Sequence, residues 1–386
     1  MVKLSLNRNL RKKLKQGHPW VYKEAFDITK NKKREISDFA QVYDNKGLVS
    51  QGIYDSTSVL GFRALHFNPF NEDQLTLKIK ENFDLRACLL DFETTNAYRL
   101  INGEGDGFSG LVCDVYSDIA VLQYDGEGME HFWSQVALPK ALLITLPTIK
   151  TVIFKKRNDK DSLEFLKGEK LKSDTVQFKE NGLLFETDLK RGQKTGFFLD
   201  QRDNRNHIKN FVKDKTVLNV FSYTGGFSVY AGAGRAKSVV SLDASEGACL
   251  QAEENWTLNG LDSNQHKSLC CDAYEFLEKS GKKYDVVIVD PPSMASSHQQ
   301  KHLAMEKYIS AFHKAGLLVN PFGDLVLSSC SSQINFDDFH SIVQEALSLA
   351  NLKAKVIRLS GQGGDHTFPH SCPELRYLKF IHLKLT

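Results

Sequence analysis

From about residue 188 onward, apolar runs of strand length alternate with longer stretches of helical spacing, the pattern of βαβ units feeding a mostly parallel sheet. Val217–Val220, Ser238–Leu242, Lys267–Cys271, Tyr284–Val289 and Gly323–Ser329 are the predicted strands. The N-terminal region reads differently. Ala40–Tyr43 and Leu48–Tyr54 flank a turn at Asp44-Asn45-Lys46-Gly47, and Val59–Leu65 follows before the break at Asn68-Pro69, which together predict a β-rich module over residues 1–67. Between 68 and 187, a helical pattern from Asp73 to Asn96 precedes strand-like Gly110–Tyr116 and Ile119–Tyr124, so this part reads as α+β. A chain of 386 residues exceeds one comfortable core. Three consecutive domains are therefore expected: 1–67, 68–187 and 188–386.

The chemistry concentrates where predicted strands end. The run Val217-Leu-Asn-Val-Phe-Ser-Tyr-Thr-Gly-Gly-Phe-Ser228 breaks at Gly225 and Gly226, which permit a sharp turn and a close approach to a ligand. Asp243 closes the next run 18 residues beyond Gly225, near the spacing at which a carboxylate meets ribose hydroxyls. Asp272 and Asp290 end the following two runs, with Asp272 placed for an adenine amino group. Aspartate at a strand end is also ordinary turn chemistry. Taken together with the glycines, the three point to an adenosine-type cofactor. The turn lacks the G-x-G-x-x-G pattern that seats a pyrophosphate, which favours S-adenosylmethionine over a dinucleotide. The expected pocket is Phe221, Tyr223, Gly225, Gly226, Asp243, Ala244, Asp272, Ala273 and Pro292, with Thr195 and Phe198 across its mouth. A structural hairpin is the competing reading of that last segment.

Composition adds boundaries rather than a mechanism. With 41% hydrophobic and 25% charged residues, and no apolar run long enough for a signal peptide or membrane span, a cytoplasmic protein is expected. Seven cysteines without a C-x-x-C pair argue against a disulfide framework and against a metal site. Net charge is only +3, yet residues 1–35 hold eleven Lys or Arg, including Lys12 and Lys13, interleaved with His18, Trp20 and Tyr22. Such a segment suits a phosphate backbone with bases stacked on aromatic rings, or is a solvated basic face.

Cys330, in Ser329-Cys330-Ser331, follows the strand predicted after the one ending in Asp290-Pro291-Pro292. A thiolate adding at carbon 6 of a pyrimidine makes carbon 5 nucleophilic enough to accept a methyl group. Asp290 is placed to hold the polar edge of the base, on a loop stiffened by its prolines. A buried structural cysteine is the other reading. Ser293 after the prolines, where an aromatic would stack a flipped base, disfavours methylation of an exocyclic amine.

His18-Pro19-Trp20-Val21, Asn96–Gly107, Gly192–Asp203, Leu218–Phe227, Asp290-Pro291-Pro292 and Ser329-Cys330-Ser331 resemble, in order and over nearly the whole chain, one known family. It is the bacterial large-subunit ribosomal RNA cytosine-carbon-5 methyltransferases with an N-terminal PUA domain. The resemblance implies a PUA module, a small α+β middle domain and a Rossmann-like class I methyltransferase domain of α/β type. It further implies Cys330 as the single catalytic cysteine, with single-stranded or locally opened ribosomal RNA as substrate. Lys12, Lys13, His18, Trp20 and Arg202 are the expected RNA contacts, and a homodimer is compatible with this reading. Ser293 stands where the family has lysine, and Tyr308-Ile309-Ser310 lacks the family's nearby asparagine. The alternatives are methylation of another base such as guanine, an RNA-binding assembly factor without turnover, and an NAD-dependent enzyme.

Overall fold

Strand residues that are apolar at every position need cover on both faces of their sheet. In the computed structural model, which describes residues 2–26, 36–157, 162–295 and 298–386, that cover is present. Lys30, Lys32, Lys33 and Arg34 of the basic segment lie outside the described residues. The chain divides into two compact units, one of Met1–Lys179, Thr187–Leu199 and Gly364–Leu375, the other of Glu180–Glu186, Asp200–Gly363 and Arg376–Thr386. No helix among the described residues is long and apolar enough to cross a membrane.

The first unit contains two sheets. β1 (Val2–Ser5), β2 (Trp20–Val21), β3 (Ser37–Asp44), β4 (Gly47–Asp55) and β5 (Phe62–Ala64) form the first, in the order β1-β3-β4-β5-β2, with α1 (Arg11–Lys15) between β1 and β2 in sequence. Leu4, Leu14, Val21, Ala40, Val42 and Phe62 fill its core. After α2 (Glu72–Leu89), β6 (Ala97–Asn102), β7 (Leu111–Tyr116), β8 (Ile119–Tyr124), β9 (Thr151–Lys155) and β10 (Leu163–Gly168) form the second sheet, with α3 (Glu127–Ser134) and α4 (Leu138–Thr145) inserted before β9. The helix expected to reach Asn96 stops at Leu89 because Leu90 is extended and Asp91 accepts the Glu93 N–H, starting a turn.

The ribbon of β11 (Thr175–Glu180) and β12 (Leu183–Asp188) leads into the second unit. There α5 (Arg202–Lys209), β13 (Thr216–Val220), α6 (Gly226–Ala233), β14 (Ser238–Asp243), α7 (Glu246–Leu258), β15 (His266–Cys270), α8 (Ala273–Lys279) and β16 (Tyr284–Val289) alternate. α9 (Lys301–Leu317), β17 (Val319–Ser329), α10 (Phe336–Leu349), β18 (Ala354–Ser360) and β19 (Lys379–Leu385) complete a seven-stranded sheet ordered β15-β14-β13-β16-β17-β19-β18. Strands β15 to β17 are parallel, and β19 runs antiparallel to both β17 and β18.

Side chains of successive strand residues point to opposite faces, and the two cores separate accordingly. Leu218, Val220, Val287 and Val289 pack with Ala273, Leu277, Tyr308, Phe312, Phe339 and Ile342. Val217, Val286 and Ile288 pack on the other face with Ile208, Phe227, Ala231 and Trp256.

The two units cut the chain differently from three consecutive segments. Residues 188–199, expected with the last domain, belong to the first unit because the Thr195 hydroxyl donates to Asp114 Oδ2 and Phe197 packs on Phe178. Gly364–Leu375 joins it through Asp365, whose carboxylate accepts the Arg99 N–H and whose carbonyl accepts from Arg86.

Candidate active site at the carboxyl edge of the seven-stranded sheet

After β13 the backbone turns through three left-handed residues, Phe221 (φ 60), Tyr223 (φ 48) and Gly225 (φ 79). Such conformations cost free energy for residues with a Cβ and concentrate at functional sites. Asp243, at the end of the adjacent β14, holds this turn: Oδ2 accepts the Tyr223 N–H at 2.9 Å and Oδ1 accepts the Ser245 N–H at 3.0 Å. Asn255 from α7 donates to the Thr224 carbonyl at 3.0 Å. A Cβ on Gly225 would lie 2.9 Å from that of Ala252, so glycine is required for space as well as for its φ.

Within this turn two buried hydroxyls, Ser222 Oγ and Thr224 Oγ1, have no hydrogen-bond partner among the described residues. Buried polar atoms are nearly always paired, so these two mark where a polar ligand group fits. Further along the edge, Asp272 caps α8 by accepting the Glu275 N–H at 2.9 Å through Oδ1. Phe221 meets Tyr274 edge-on with ring centroids 5.8 Å apart. Ala244, Asp272 and Pro292 are exposed, while Gly226 and Ala273 are buried at the starts of their helices. A polar turn, an acidic strand end and an aromatic pair lie along one edge, and these residues could hold the amino-acid head, ribose and base of an S-adenosyl cofactor.

Beside this turn, β16 and β17 pair in parallel register and deliver Asp290 and Cys330. Ser328 donates its hydroxyl to Asp290 Oδ1, and Gln201 Nε2 donates to Oδ2 at 3.0 Å. Asn204 in turn fixes Gln201, donating to its Oε1 at 2.7 Å. Cys330 is half-buried, with Sγ 4.0 Å from the Pro291 carbonyl, and so is neither sealed in the core nor far from Asp290. Ser331 Oγ accepts the Met294 N–H at 3.0 Å and lies 3.0 Å from both Ser293 Oγ and Tyr308 Oη. Ser293 thus ties the loop after the two prolines to the residue following Cys330. Burial raises the Tyr308 phenol to about 12, so it is a neutral partner.

Thr195 is fully buried in the first unit, its hydroxyl 2.5 Å from Asp114 Oδ2 and 3.0 Å from Tyr116 Oη, which leaves the side chain committed there. Phe198 belongs to the same unit, with Lys194 Nζ 4.5 Å from its ring centre. His18 is 3% exposed and Arg202 2% exposed, so neither offers a surface to RNA. Trp20 is half-buried and its indole N–H donates to Glu104 at 2.9 Å. Lys12 and Lys13 are exposed on α1. Gln201 and Ser328 went unrecognised in the sequence, because a glutamine and a serine have no signature until a third side chain is placed between them.

Comparison with known proteins agrees with this geometry. Residues 142–354 match the S-adenosylmethionine-dependent methyltransferase family, and residues 4–67 match a PUA-like domain. A ribosomal RNA large subunit methyltransferase of Deinococcus radiodurans is 34% identical, with 100% of this chain and 97% of that protein covered. The ribosomal RNA large subunit methyltransferase I of Aliivibrio fischeri is 33% identical over 98% of each. Among solved structures, a SAM-dependent methyltransferase described as putative, from Streptococcus mutans, superposes with a TM-score of 0.86 at 23% identity over 100% of both chains. A second such methyltransferase, complexed with SAH, gives 0.87 at 23% identity, again over 100% of both. On the family match, the full-length relatives and the glycine turn at the sheet edge, the chain belongs to the S-adenosylmethionine-dependent methyltransferases and carries a PUA-like domain at its N-terminus.

Proposed function

We propose that this protein methylates carbon 5 of a cytosine in large-subunit ribosomal RNA through a covalent intermediate on Cys330. The observation that carries the reading is the placement of Cys330 and Asp290 on neighbouring parallel strands beside the glycine turn. The ribosomal substrate is taken from the relatives matched over their full length, which are ribosomal RNA large subunit methyltransferases.

Bound S-adenosylmethionine supplies an electrophilic methyl group and leaves as S-adenosylhomocysteine. Cys330 loses its proton to solvent and adds its sulfur to carbon 6, which raises electron density at carbon 5 for attack on that methyl. Asp290, held at both oxygens by Gln201 and Ser328, orients the polar edge of the base. A base then takes the carbon 5 proton, the sulfur–carbon bond breaks, and its electron pair returns to Cys330. Asp243 orients the cofactor turn, with Ser222 and Thr224 offering their unpartnered hydroxyls to the amino-acid head. The target base has to be unstacked to reach this edge, so single-stranded or locally opened RNA is the substrate form. Lys12 and Lys13 supply phosphate contacts from the PUA-like module.

Work on ribosomal RNA puts the protein in the cytoplasm. A homodimer would form along β18, the edge of the large sheet, where Val356, Ile357 and Leu359 are exposed. Light scattering on the purified chain reads that state directly.

The test of the reaction is transfer of tritiated methyl to unmethylated ribosomal RNA by wild type and Cys330→Ala, with mass spectrometry of the product nucleoside. Loss of turnover in the variant and 5-methylcytidine in the wild type are expected. Retained turnover in Cys330→Ala removes the covalent step, and a methylated guanosine removes the assigned substrate.

A further inference from the structure

Lys379 is the first residue of β19 and sits directly across from Ser329, the residue before Cys330. It is 0% exposed. Its ammonium donates to the Ser331 carbonyl at 2.6 Å and to the Tyr377 carbonyl at 2.7 Å, so it reaches the backbone immediately after Cys330. Among the described residues it makes no ion pair. Buried lysines are rare without a carboxylate partner, because carbonyl dipoles replace only part of the lost hydration.

The neighbouring acids are already engaged. Asp338, on α10, is paired with Lys301 at 2.7 Å and accepts the Asn335 N–H at 2.9 Å, completing a capping box. Asp290 takes bonds from Gln201 and Ser328. Tyr308, on α9, is a neutral phenol that reaches the same turn through Ser331. The ammonium holds the carbonyl of the residue that follows Cys330, whose ionisable thiol would bring the missing negative charge once deprotonated.

We propose that Lys379 is the positioning residue of the nucleophile, holding the Ser329-Cys330-Ser331 turn by its carbonyls and setting a buried positive charge beside the sulfur so that Cys330 is populated as thiolate near neutral pH. Burial draws the lysine down to about 8, with Cys330 and Asp338 acting in the opposite direction, so the charge is still largely present at pH 7. The S–H bond breaks, the proton leaves to solvent, and the electron pair left on sulfur is the one that later attacks carbon 6. Lys379 itself keeps its protons and forms no bond to the base. This assignment rests on Cys330 being the nucleophile.

The experiment follows alkylation of the full-length protein by iodoacetamide as a function of pH, with the Cys330, Cys88 and Cys270 peptides quantified separately by mass spectrometry. The midpoint of each profile is read, since accessibility changes the rate and not the midpoint. In the wild type the Cys330 midpoint should fall about one pH unit or more below those of the exposed Cys88 and Cys270. Lys379→Met should move it up by about one unit or more and lower methyl transfer at pH 7 roughly 10-fold, with recovery toward pH 9, whereas Lys379→Arg keeps the low midpoint. A wild-type Cys330 midpoint at or above those of Cys88 and Cys270 overturns the assignment, whether or not the variants fold. An unchanged midpoint in a folded Lys379→Met protein overturns it equally. Retained turnover in Cys330→Ala would instead remove the nucleophile, and with it the assignment of Lys379 as its positioning residue, whatever the thiol titration shows.

Discussion

Ser328 donates its hydroxyl to Asp290 from the neighbouring parallel strand, while Gln201 holds the other carboxylate oxygen at 3.0 Å. Two neutral donors from different elements therefore hold the carboxylate, one at each oxygen. A carboxylate held at both oxygens is oriented for the role proposed for it, meeting the polar edge of a base.

Removing either donor should loosen Asp290 without disturbing the cofactor turn. Ser328→Ala and Gln201→Ala are each expected to lower kcat about 10- to 100-fold, the equivalent of roughly 1–3 kcal/mol for a lost bond to a charged group. Affinity for S-adenosylmethionine, measured by calorimetry, should stay within about twofold. A large loss of cofactor affinity with kcat preserved would place Asp290 in the cofactor pocket instead.

Gly225→Ala tests the turn itself. The new methyl would sit 2.9 Å from the Ala252 Cβ and 3.1 Å from its Cα, at a φ of 79°. Crowding and strain together should cost about 1–3 kcal/mol in denaturant unfolding and weaken cofactor binding. An unchanged unfolding midpoint would mean that the turn relaxes freely.

The pair Arg86–Asp106 is buried at both ends, with bonds of 2.8 and 2.6 Å, and Arg86 also reaches the Asp365 carbonyl at 2.6 Å. Arg86→Met leaves the Asp106 charge buried with the Thr367 hydroxyl and the Asn102 N–H as its remaining donors among the described residues. The expected loss is about 3–5 kcal/mol, accompanied by faster proteolysis within residues 364–375. Equal protease resistance in variant and wild type would show that Arg86 does not anchor that segment.

Acid should weaken the second unit before its carboxylates titrate. His266 stacks on Trp256 with centroids 4.5 Å apart and lies 2.8 Å from Ser241 Oγ, and burial holds its pKa down to about 4. His207 is likewise held down to about 4, by burial and then by His382. A depressed folded pKa means that the unfolded chain takes up these protons first. Stability is then complete above about pH 6.5 and is lost as pH falls toward about 4. Urea midpoints recorded from pH 7 to 4.5 should decline, and His266→Phe should flatten part of that decline. A midpoint that rises on acidification would contradict the sign.

The sequence by itself determined the sheet, the glycine turn at its edge and the place of Cys330 just after a strand. Val217–Val220 and Tyr284–Val289 are nearly continuous apolar runs, a local property that only a strand covered on both faces satisfies. The glycines after Phe221 and the acids at successive strand ends are short-range signals, tied to backbone freedom and strand length, and Cys330 was visible as the residue after a strand. What the tertiary structure alone decided is which side chains meet. Gln201 lies 89 residues from Asp290, and Lys379 lies 48 from Ser331, separations at which pattern along the chain carries no information. Burial was equally hidden: His18, Trp20 and Arg202 have the composition of an RNA contact, but His18 and Arg202 are enclosed and the Trp20 indole is bonded to Glu104. Segments 188–199 and 364–375 were assigned by their neighbours in sequence, whereas their place in the first unit follows from bonds to Asp114, Arg86 and Arg99. Local periodicity records how each residue meets its own strand or helix, and long-range pairing of polar groups is fixed only when the chain has closed around them.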